Sequence, residues 1–178
     1  MYLPQSAVFS EFQILEDGSS AEIAMTGSEG IIGLAAIFDN APANNWTQVS
    51  VAGSAFKIKS QILRKELRFD PNLQNFLFGC ISSYINQISQ RAVCNKYHTL
   101  EKRFCSWLLM LQDRLKNAKL PLTQEQIARI LGAHRPTITN VAYSLRAAKI
   151  IDYRRGTIVI SSRRELEKRA CRCYAEID

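Results

Sequence analysis

The run from Leu120 to Ile160 constrains the fold more than any other part of the chain. It reads LPLTQEQIARILGAHRPTITNVAYSLRAAKIIDYRRGTIVI and holds start and stop signals for two short helices. Thr123 with Gln126 three positions later is the pattern of a capping box at a helix start. Gly132 is placed to end that helix, and Pro136 to open the next, where its missing N–H costs nothing. Two helices joined by a turn of about three residues predict a helix-turn-helix.

The spacing of apolar residues separates the buried and exposed faces of these two helices. We expect the first helix to bury Ile127, Ile130 and Leu131, and the second to bury Ile138, Val141, Leu145 and Ala148. A surface helix that only needs solubility usually carries Glu and Lys. The second helix instead lies in a stretch, residues 126–151, without a single acidic residue. Its exposed face is predicted to present Arg135, Thr137, Thr139, Asn140 and Tyr143.

These side chains are the types that read DNA. Arginine can bond guanine through two hydrogen bonds, asparagine can do the same to adenine, and threonine can contact phosphate or the thymine methyl group. The next residues, Ile150–Tyr153 and Thr157–Ile160, predict a tight β-hairpin with two arginines at its tip, which suits a wing that grips phosphate. We predict that the segment binds double-stranded DNA through Thr123, Gln124, His134, Arg135, Thr137, Thr139, Asn140, Arg154 and Arg155.

The net charge of +7 is unevenly distributed along the chain. Residues 1–90 carry 5 basic and 8 acidic side chains, whereas residues 91–178 carry 18 and 8. The first Lys or Arg is Lys57. This asymmetry favours a polyanionic partner for the second half, although a basic surface can also be merely solvated.

The first 60 residues predict strands and the next 40 predict helices. Ala7–Leu15 and Ala21–Met25 flank an Asp-Gly turn, and Trp46–Val51 and Ala55–Ile58 follow a polar loop at 39–45. Asp70-Pro71 then opens a long helix that runs to about Cys94, and Thr99 is a candidate N-cap for another helix that buries Phe104. The long helix has an apolar stripe that we expect to form a dimer interface; the alternative is that the stripe packs on the strands of its own chain. Its members are Leu77, Ile81, Tyr84 and Ile88.

The cysteines and histidines do not form a recognisable catalytic or metal-binding motif in the sequence. The five cysteines include no CxxC pair, and the CxC formed by Cys171 and Cys173 is narrower than usual metal-site spacing. Free thiols are therefore expected, with no metal or cofactor, and a redox or metal-sensing role is the alternative. The two histidines join no nucleophile and base, so an enzyme is not expected. The sequence shows no signal peptide or membrane-spanning run, and we expect a cytoplasmic protein.

At these residues the sequence resembles the superfamily of the cyclic-AMP receptor protein and the fumarate-nitrate regulator (CRP/FNR). The resemblance is strong over Ala92–Tyr174, including AVCNKYHTLEKRFCSWLLMLQDRL and the tail ACRCY, and looser over Tyr2–Lys59. It implies a β-roll sensor domain, a dimer helix after Pro71, and a recognition helix in the major groove. It also implies base contacts from Arg135 and Asn140 and phosphate contacts from Thr123, His134 and Thr137.

The sequence departs from this family at the cyclic-nucleotide pocket. The family uses a Gly-Glu pair for the ribose and a later Arg for the cyclic phosphate, whereas this chain has Gly33-Leu34-Ala35-Ala36 and then Ala41–Val49 without arginine. A phosphate needs a cation or well-aimed N–H donors. The cysteines that hold an iron–sulfur cluster in the fumarate-nitrate regulators are also absent from the N-terminal region. Pro136 stands where some relatives carry a base-contacting Glu, so the DNA sequence that those relatives bind cannot be assigned to this chain.

The sequence thus predicts an α+β chain with a shortened antiparallel β-roll (residues 1–69), a dimerisation helix (70–97) and a C-terminal winged helix-turn-helix (98–178). The expected function is that of a homodimeric transcription regulator that binds a palindromic or near-palindromic operator, without cyclic-nucleotide control. Its expected partners are DNA, a second copy of the chain and RNA polymerase, with no membrane. The alternative is a ligand- or redox-sensing dimer whose main output is a protein–protein contact.

Overall fold

The computed structural model describes residues 1–38 and 45–176, so part of the predicted polar loop and of the Ala41–Val49 segment lies outside the described residues. The chain forms two compact units. Unit 1 comprises Met1–Gln13 and Ile23–Ser89, and unit 2 comprises Ile14–Glu22 and Gln90–Asp178. This grouping differs from the three predicted segments, because it divides the long helix between Ser89 and Gln90, about two-thirds of the way along it. No helix among the described residues has the length and apolarity that a membrane span requires.

Unit 1 is built around short antiparallel strands. Strand β1 (Tyr2–Pro4) pairs with β5 (Ala55–Lys57), and β2 (Val8–Ile14) lies between β3 (Ser20–Thr26) and β4 (Trp46–Val51). The predicted Asp-Gly turn joins β2 to β3: Gly18 has a φ of +82°, and the Asp17 carboxylate accepts hydrogen bonds from the Ser19 backbone and hydroxyl. Two short helices complete the segment, α1 (Ala35–Phe38) and α2 (Ser60–Glu66). The predicted antiparallel β character of this region is confirmed.

Helix α3 (Pro71–Tyr97) begins where the sequence predicted and ends three residues later than predicted. The Asp70 carboxylate accepts hydrogen bonds from the backbone N–H groups of Asn72 (2.9 Å) and Leu73 (3.1 Å), which caps the helix start. Pro71 occupies the first turn, where its lack of an N–H leaves no helical hydrogen bond unmade.

The stripe predicted for the dimer interface faces largely into unit 1. Leu77 is 3% exposed and belongs to a core cluster with Ile31, Leu63 and Cys80, and Ile81 packs against the same cluster. Tyr84 is half-buried; its hydroxyl accepts from Asn45 Nδ2 at 3.4 Å, and the same amide donates to the buried Glu11. Burial raises the pKa of both Glu11 and Tyr84. Leu77, Ile81 and Tyr84 therefore contact other residues of unit 1, and Ile88 is half-buried. The role of the four residues in a dimer interface stays a prediction.

Unit 2 holds the remaining helices and a small sheet. Helix α4 (Leu100–Leu115) is capped by Thr99 as predicted and buries Phe104, Trp107, Leu108 and Leu111. The elements that follow are β6 (Lys119–Leu120), α5 (Gln124–Leu131), α6 (Arg135–Ala147), β7 (Ile151–Arg154), β8 (Thr157–Ile160), α7 (Arg163–Arg169) and a 3-10 helix at Arg172–Glu176. The sheet order is β6-β8-β7, all antiparallel. This is the predicted winged helix-turn-helix.

A buried ion pair lies inside unit 2. The guanidinium of Arg91 in α3 bonds the carboxylate of Glu22, and Trp107 Nε1 donates to the same Glu22 oxygen at 2.8 Å. The Glu22 side chain is fully buried and that of Arg91 is 11% exposed. A buried charge requires such partners, because desolvation of an isolated carboxylate costs several kcal/mol. The contact fixes the tip of the β2–β3 hairpin to α3 and α4.

Candidate nucleic-acid interface

The first motif helix, α5, has the predicted capping box. The Thr123 hydroxyl accepts from the Gln126 backbone N–H at 3.2 Å, and Gln126 Oε1 accepts from the Thr123 N–H at 2.8 Å. Each bond satisfies an N–H that the first helical turn would leave unpaired. Leu122 before the cap and Ile127 after it are both buried, as a hydrophobic staple requires. Gly132 ends the helix with a left-handed φ of +58°.

Helix α6 begins one residue earlier than predicted. Arg135 is its first residue and His134 the flanking cap residue, so Pro136 occupies the second position instead of the first. The change is small because the first turn of a helix tolerates a missing N–H at either position. It brings the Arg135 side chain to the extreme N-terminal end of the helix, where the helix dipole is positive.

The face of α6 that was predicted to contact DNA is exposed. The residues with exposed side chains on this face are His134, Arg135, Thr137, Thr139, Asn140 and Tyr143, and Tyr143 is 75% exposed. The buried face differs from the prediction in two places. Ala142 is buried where Val141 was expected, and Ala148 is exposed because the helix ends at Ala147. Ile138 and Leu145 are fully buried as predicted.

Polar contacts fix the two motif helices and the wing to one another. The Thr139 hydroxyl lies 2.8 Å from Gln124 Oε1 and 3.1 Å from the Arg135 carbonyl, either of which can accept its proton. The backbone N–H of Gln124 donates to the Tyr153 hydroxyl at 3.1 Å. Gln124 is therefore held by α6 on one side and by β7 on the other. The sequence predicted Gln124 and Thr139 as DNA contacts, which stays a prediction, and the structure shows that both residues join elements of the motif.

The wing is a two-residue hairpin. Arg154 pairs with Thr157 across the strands, and Arg155-Gly156 form the turn with φ values of +47° and +76°. Positive φ at both central residues is the signature of a type I′ turn, whose twist matches that of the strands. Arg154 Nε lies 2.7 Å from Asp152 Oδ2, and Arg146 Nε lies 3.2 Å from Asp152 Oδ1. Asp152 thus partly neutralises both arginines, whereas Arg155 extends from the turn into solvent.

Arg146 was missed as a candidate by the sequence analysis. It is exposed in the last turn of α6, on the side facing the wing, where Asp152 binds it. The sequence could not indicate that Arg146 lies beside the wing, because its contact with Asp152 depends on the path of β7.

Comparison with known proteins agrees with this geometry. Residues 102–169 match the family model of the Crp-like helix-turn-helix domain. The match spans 68 of the 178 residues and covers both motif helices and the wing. The predicted CRP/FNR resemblance is confirmed for this region. No curated protein matches the sequence.

Solved structures extend the likeness to the fold of the whole chain. FixK2 from Bradyrhizobium japonicum superposes with a TM-score of 0.81 at 18% identity, covering 96% of this chain and 86% of that one. A CRP/FNR-family transcriptional regulator from Thermus thermophilus superposes with a TM-score of 0.78 at 18% identity, covering 95% of this chain and 86% of that one. The c-di-GMP responsive global regulator CLP from Xanthomonas campestris superposes with a TM-score of 0.74 at 16% identity, covering 90% of this chain and 84% of that one. At these identities the likeness establishes the CRP/FNR fold.

Proposed function

We propose that this protein is a sequence-specific transcription regulator that binds double-stranded DNA through α6 and the β7–β8 wing. The observation that carries the proposal is the exposed, acid-free face of α6 beside a wing whose tip is arginine. A helix of this kind fits the major groove, and a basic hairpin next to it can reach the phosphates that border the groove. The proposed regulator performs no chemistry on its ligand and has RNA polymerase as an expected partner.

Base reading is assigned to Arg135 and Asn140. Both side chains are exposed, and the ion pair of Arg135 with Glu125 is long, at 4.0 Å between Nε and Oε2, with both groups more than half exposed. Such a pair contributes little and can be replaced by a guanine edge. Thr123, His134 and Thr137 lie at the start of the two motif helices, where backbone N–H groups and side chains commonly bind phosphate.

Within the wing, we assign the stronger phosphate contact to Arg155. Arg154 already bonds Asp152, so a phosphate would have to compete with that carboxylate. Arg155 lies at the apex of the turn and is exposed. We therefore expect Arg155 to supply the stronger phosphate contact of the pair.

A matched pair of variants tests the two roles. A preferred site is first selected from random DNA, and binding to it and to scrambled DNA is measured by fluorescence anisotropy at several salt concentrations. Arg135→Ala should lose about 1–3 kcal/mol on the selected site and relax preference at one position of each half-site. Arg155→Ala should weaken both DNAs alike and reduce the slope of log affinity against log salt by about 0.9.

The control for charge is Arg164→Ala, which removes an exposed arginine from α7 and should change neither quantity. If Arg135→Ala behaves like Arg155→Ala, Arg135 contacts phosphate and the base-reading assignment is wrong. If the native protein shows no preference for any selected sequence, the proposed function is wrong and the alternative of a protein-contact module gains support.

We further propose that the regulator binds as a homodimer, through an exposed stripe on α3. Phe78 and Ile85 are 60% and 58% exposed. They lie seven residues apart and alternate with the exposed Ser82 and Ser89, at spacings of four, three and four. This heptad-type stripe lies on a different face from Leu77 and Cys80 and suits close packing of two helices. A dimer would present two copies of α6 about 34 Å apart, one turn of DNA, to a palindromic operator.

A further inference from the structure

Four side chains that commonly bind metal ions converge in unit 2, outside the candidate DNA interface. Two are near the end of α3, one precedes the 3-10 helix and one lies inside it. Their ligand atoms all lie within 4.8 Å of one another. We call this group the four-ligand cluster: Cys94, His98, Cys171 and Cys173.

The distances inside the cluster match those of a tetrahedral metal site. The sulfur atoms of Cys94 and Cys171 are 3.6 Å apart, and the Cys173 sulfur is 3.8 Å from His98 Nδ1. With Zn–S bonds of about 2.3 Å and Zn–N bonds of about 2.0–2.1 Å, tetrahedral geometry separates neighbouring ligand atoms by about 3.6–3.8 Å. The cluster is thus already close to the size that one zinc ion requires.

We propose that the four-ligand cluster is a structural zinc site of the Cys3His type. Three thiolates and one imidazole are a common ligand set for structural zinc, and four protein ligands leave no position for a substrate. Binding would release the thiol protons to the solvent, since only the thiolate is a metal ligand. The proposal does not depend on the proposed DNA-binding function.

Ser106 of α4 supports the cluster from outside. Its hydroxyl lies 3.0 Å from the Cys171 sulfur and accepts the Cys171 backbone N–H at 3.0 Å. The single hydroxyl proton has two acceptors within reach, the Lys102 carbonyl at 3.0 Å and the Cys171 sulfur, so it can turn to a Cys171 thiolate while the oxygen holds the Cys171 backbone. Such partners orient metal ligands and commonly change metal affinity by about 10–100-fold when removed. Ser106 is thus a positioning residue for the proposed site.

A metal ion could reach the cluster from solvent, and the main alternative to metal binding is a disulfide. A surface groove of about 510 Å³ reaches the cluster, and two of the four ligand residues, His98 and Cys171, line it. An iron–sulfur cluster fits less well, because its cysteines bind different iron atoms and stand farther apart than these sulfurs. A disulfide between Cys94 and Cys171 is the alternative, because their sulfurs are close although both thiols are free.

Zinc at this position would join distant parts of unit 2. Cys94 and Cys171 are 77 positions apart in the chain, so one ion would fix the end of α3 to the segment that follows α7. We expect removal of zinc to lower the melting temperature of the protein.

Metal content and cobalt spectroscopy of the full-length protein test the proposal. The protein is purified under reducing conditions without chelator, and zinc is measured by mass spectrometry; we expect about one zinc per chain. Cobalt added to the chelator-treated protein should give the visible bands of a tetrahedral ion and a thiolate-to-cobalt charge-transfer band. His98→Gln and Cys173→Ser, both half-buried positions that should tolerate substitution, should lower zinc affinity by at least about tenfold, and Ser106→Ala by about 10–100-fold.

The matched control is Cys105→Ala, which removes a buried thiol of α4 outside the cluster and should leave zinc binding unchanged. The proposal is overturned if the reduced native protein binds neither zinc nor cobalt. It is also overturned if His98→Gln and Cys173→Ser bind zinc as tightly as the native protein, or if the purified protein holds a Cys94–Cys171 disulfide in place of metal.

Discussion

At the residue scale, the decisive side chains divide into those that the sequence reveals and those that only the fold brings together. Thr123, Gly132 and Pro136 act through their nearest neighbours in the chain, and their roles follow from local patterns. Glu22 and Arg91 are 69 positions apart, and Cys94 and Cys171 are 77 apart. Nothing in the spacing of either pair indicates contact, so the sequence predicted neither the buried ion pair nor the four-ligand cluster.

The buried ion pair leads to a prediction about stability. Arg91→Ala would remove the guanidinium that bonds the buried Glu22 carboxylate. Breaking one partner of such a pair commonly costs about 3–5 kcal/mol. We therefore expect the free energy of unfolding, measured by urea denaturation, to fall by that amount.

Two further variants serve as references for Arg91→Ala. Arg164→Ala, at an exposed position, should change the free energy of unfolding by less than about 0.5 kcal/mol. The double variant Glu22→Leu with Arg91→Met should cost less than Arg91→Ala alone, because it leaves no unpaired charge. A loss below about 1 kcal/mol in Arg91→Ala would mean that water reaches Glu22 in solution.

At the element scale, periodicity predicted the type and order of most elements. The two motif helices, the wing and the start of α3 lie where the sequence placed them, because caps, turns and apolar spacing all act locally. The direction of the α3 stripe was not predictable in the same way. An apolar stripe indicates that one face of a helix is buried, but it does not identify the residues that bury it. Here Leu77 packs against residues of its own chain. On α6 the buried face keeps Ile138 and Leu145 as predicted and has Ala142 between them in place of Val141.

Helix α5 allows a test of its local start signal. Thr123→Ala removes the side-chain acceptor of the capping box and should lower the free energy of unfolding by about 1 kcal/mol in the absence of DNA. Ser144→Ala, at an exposed position within α6, is the reference and should be close to neutral. Equal losses in the two variants would show that the cap does not stabilise the protein.

At the scale of the whole molecule, the proposed assembly can be tested by one charge on α3. Ile85→Glu places a carboxylate in the exposed stripe and should convert a dimer to a monomer in light scattering at tens of micromolar protein. The dimer should dissociate because burying an unpaired charge in the interface is unfavourable. The circular dichroism spectrum should stay unchanged. Ser83→Glu, exposed on α3 but off the stripe, should remain a dimer.

Two results would count against this assembly. A native protein that is monomeric with and without DNA excludes the proposed dimer. A dimer that survives in Ile85→Glu would place the interface elsewhere, and a variant at Ile88 would then be the next to examine.

The N-terminal strands lead to a prediction about ligands. No Lys or Arg precedes Lys57, so the strands of unit 1 supply no side-chain cation before that residue for a cyclic phosphate. Cyclic AMP and cyclic GMP at up to millimolar concentration should change neither the melting temperature nor the affinity for selected DNA. A saturable shift in melting temperature would show that backbone N–H groups replace the missing arginine.

The boundaries between the two compact units bear on how the molecule unfolds. They lie between residues 13 and 14 in β2, 22 and 23 in β3, and 89 and 90 in α3, and therefore within regular secondary structure. Each of these three elements therefore contributes residues to both units. Trp46 belongs to unit 1 and Trp107 to unit 2, so each indole reports on one of them. Because β2, β3 and α3 each continue across a boundary, the fluorescence of the two indoles should change over the same range of urea.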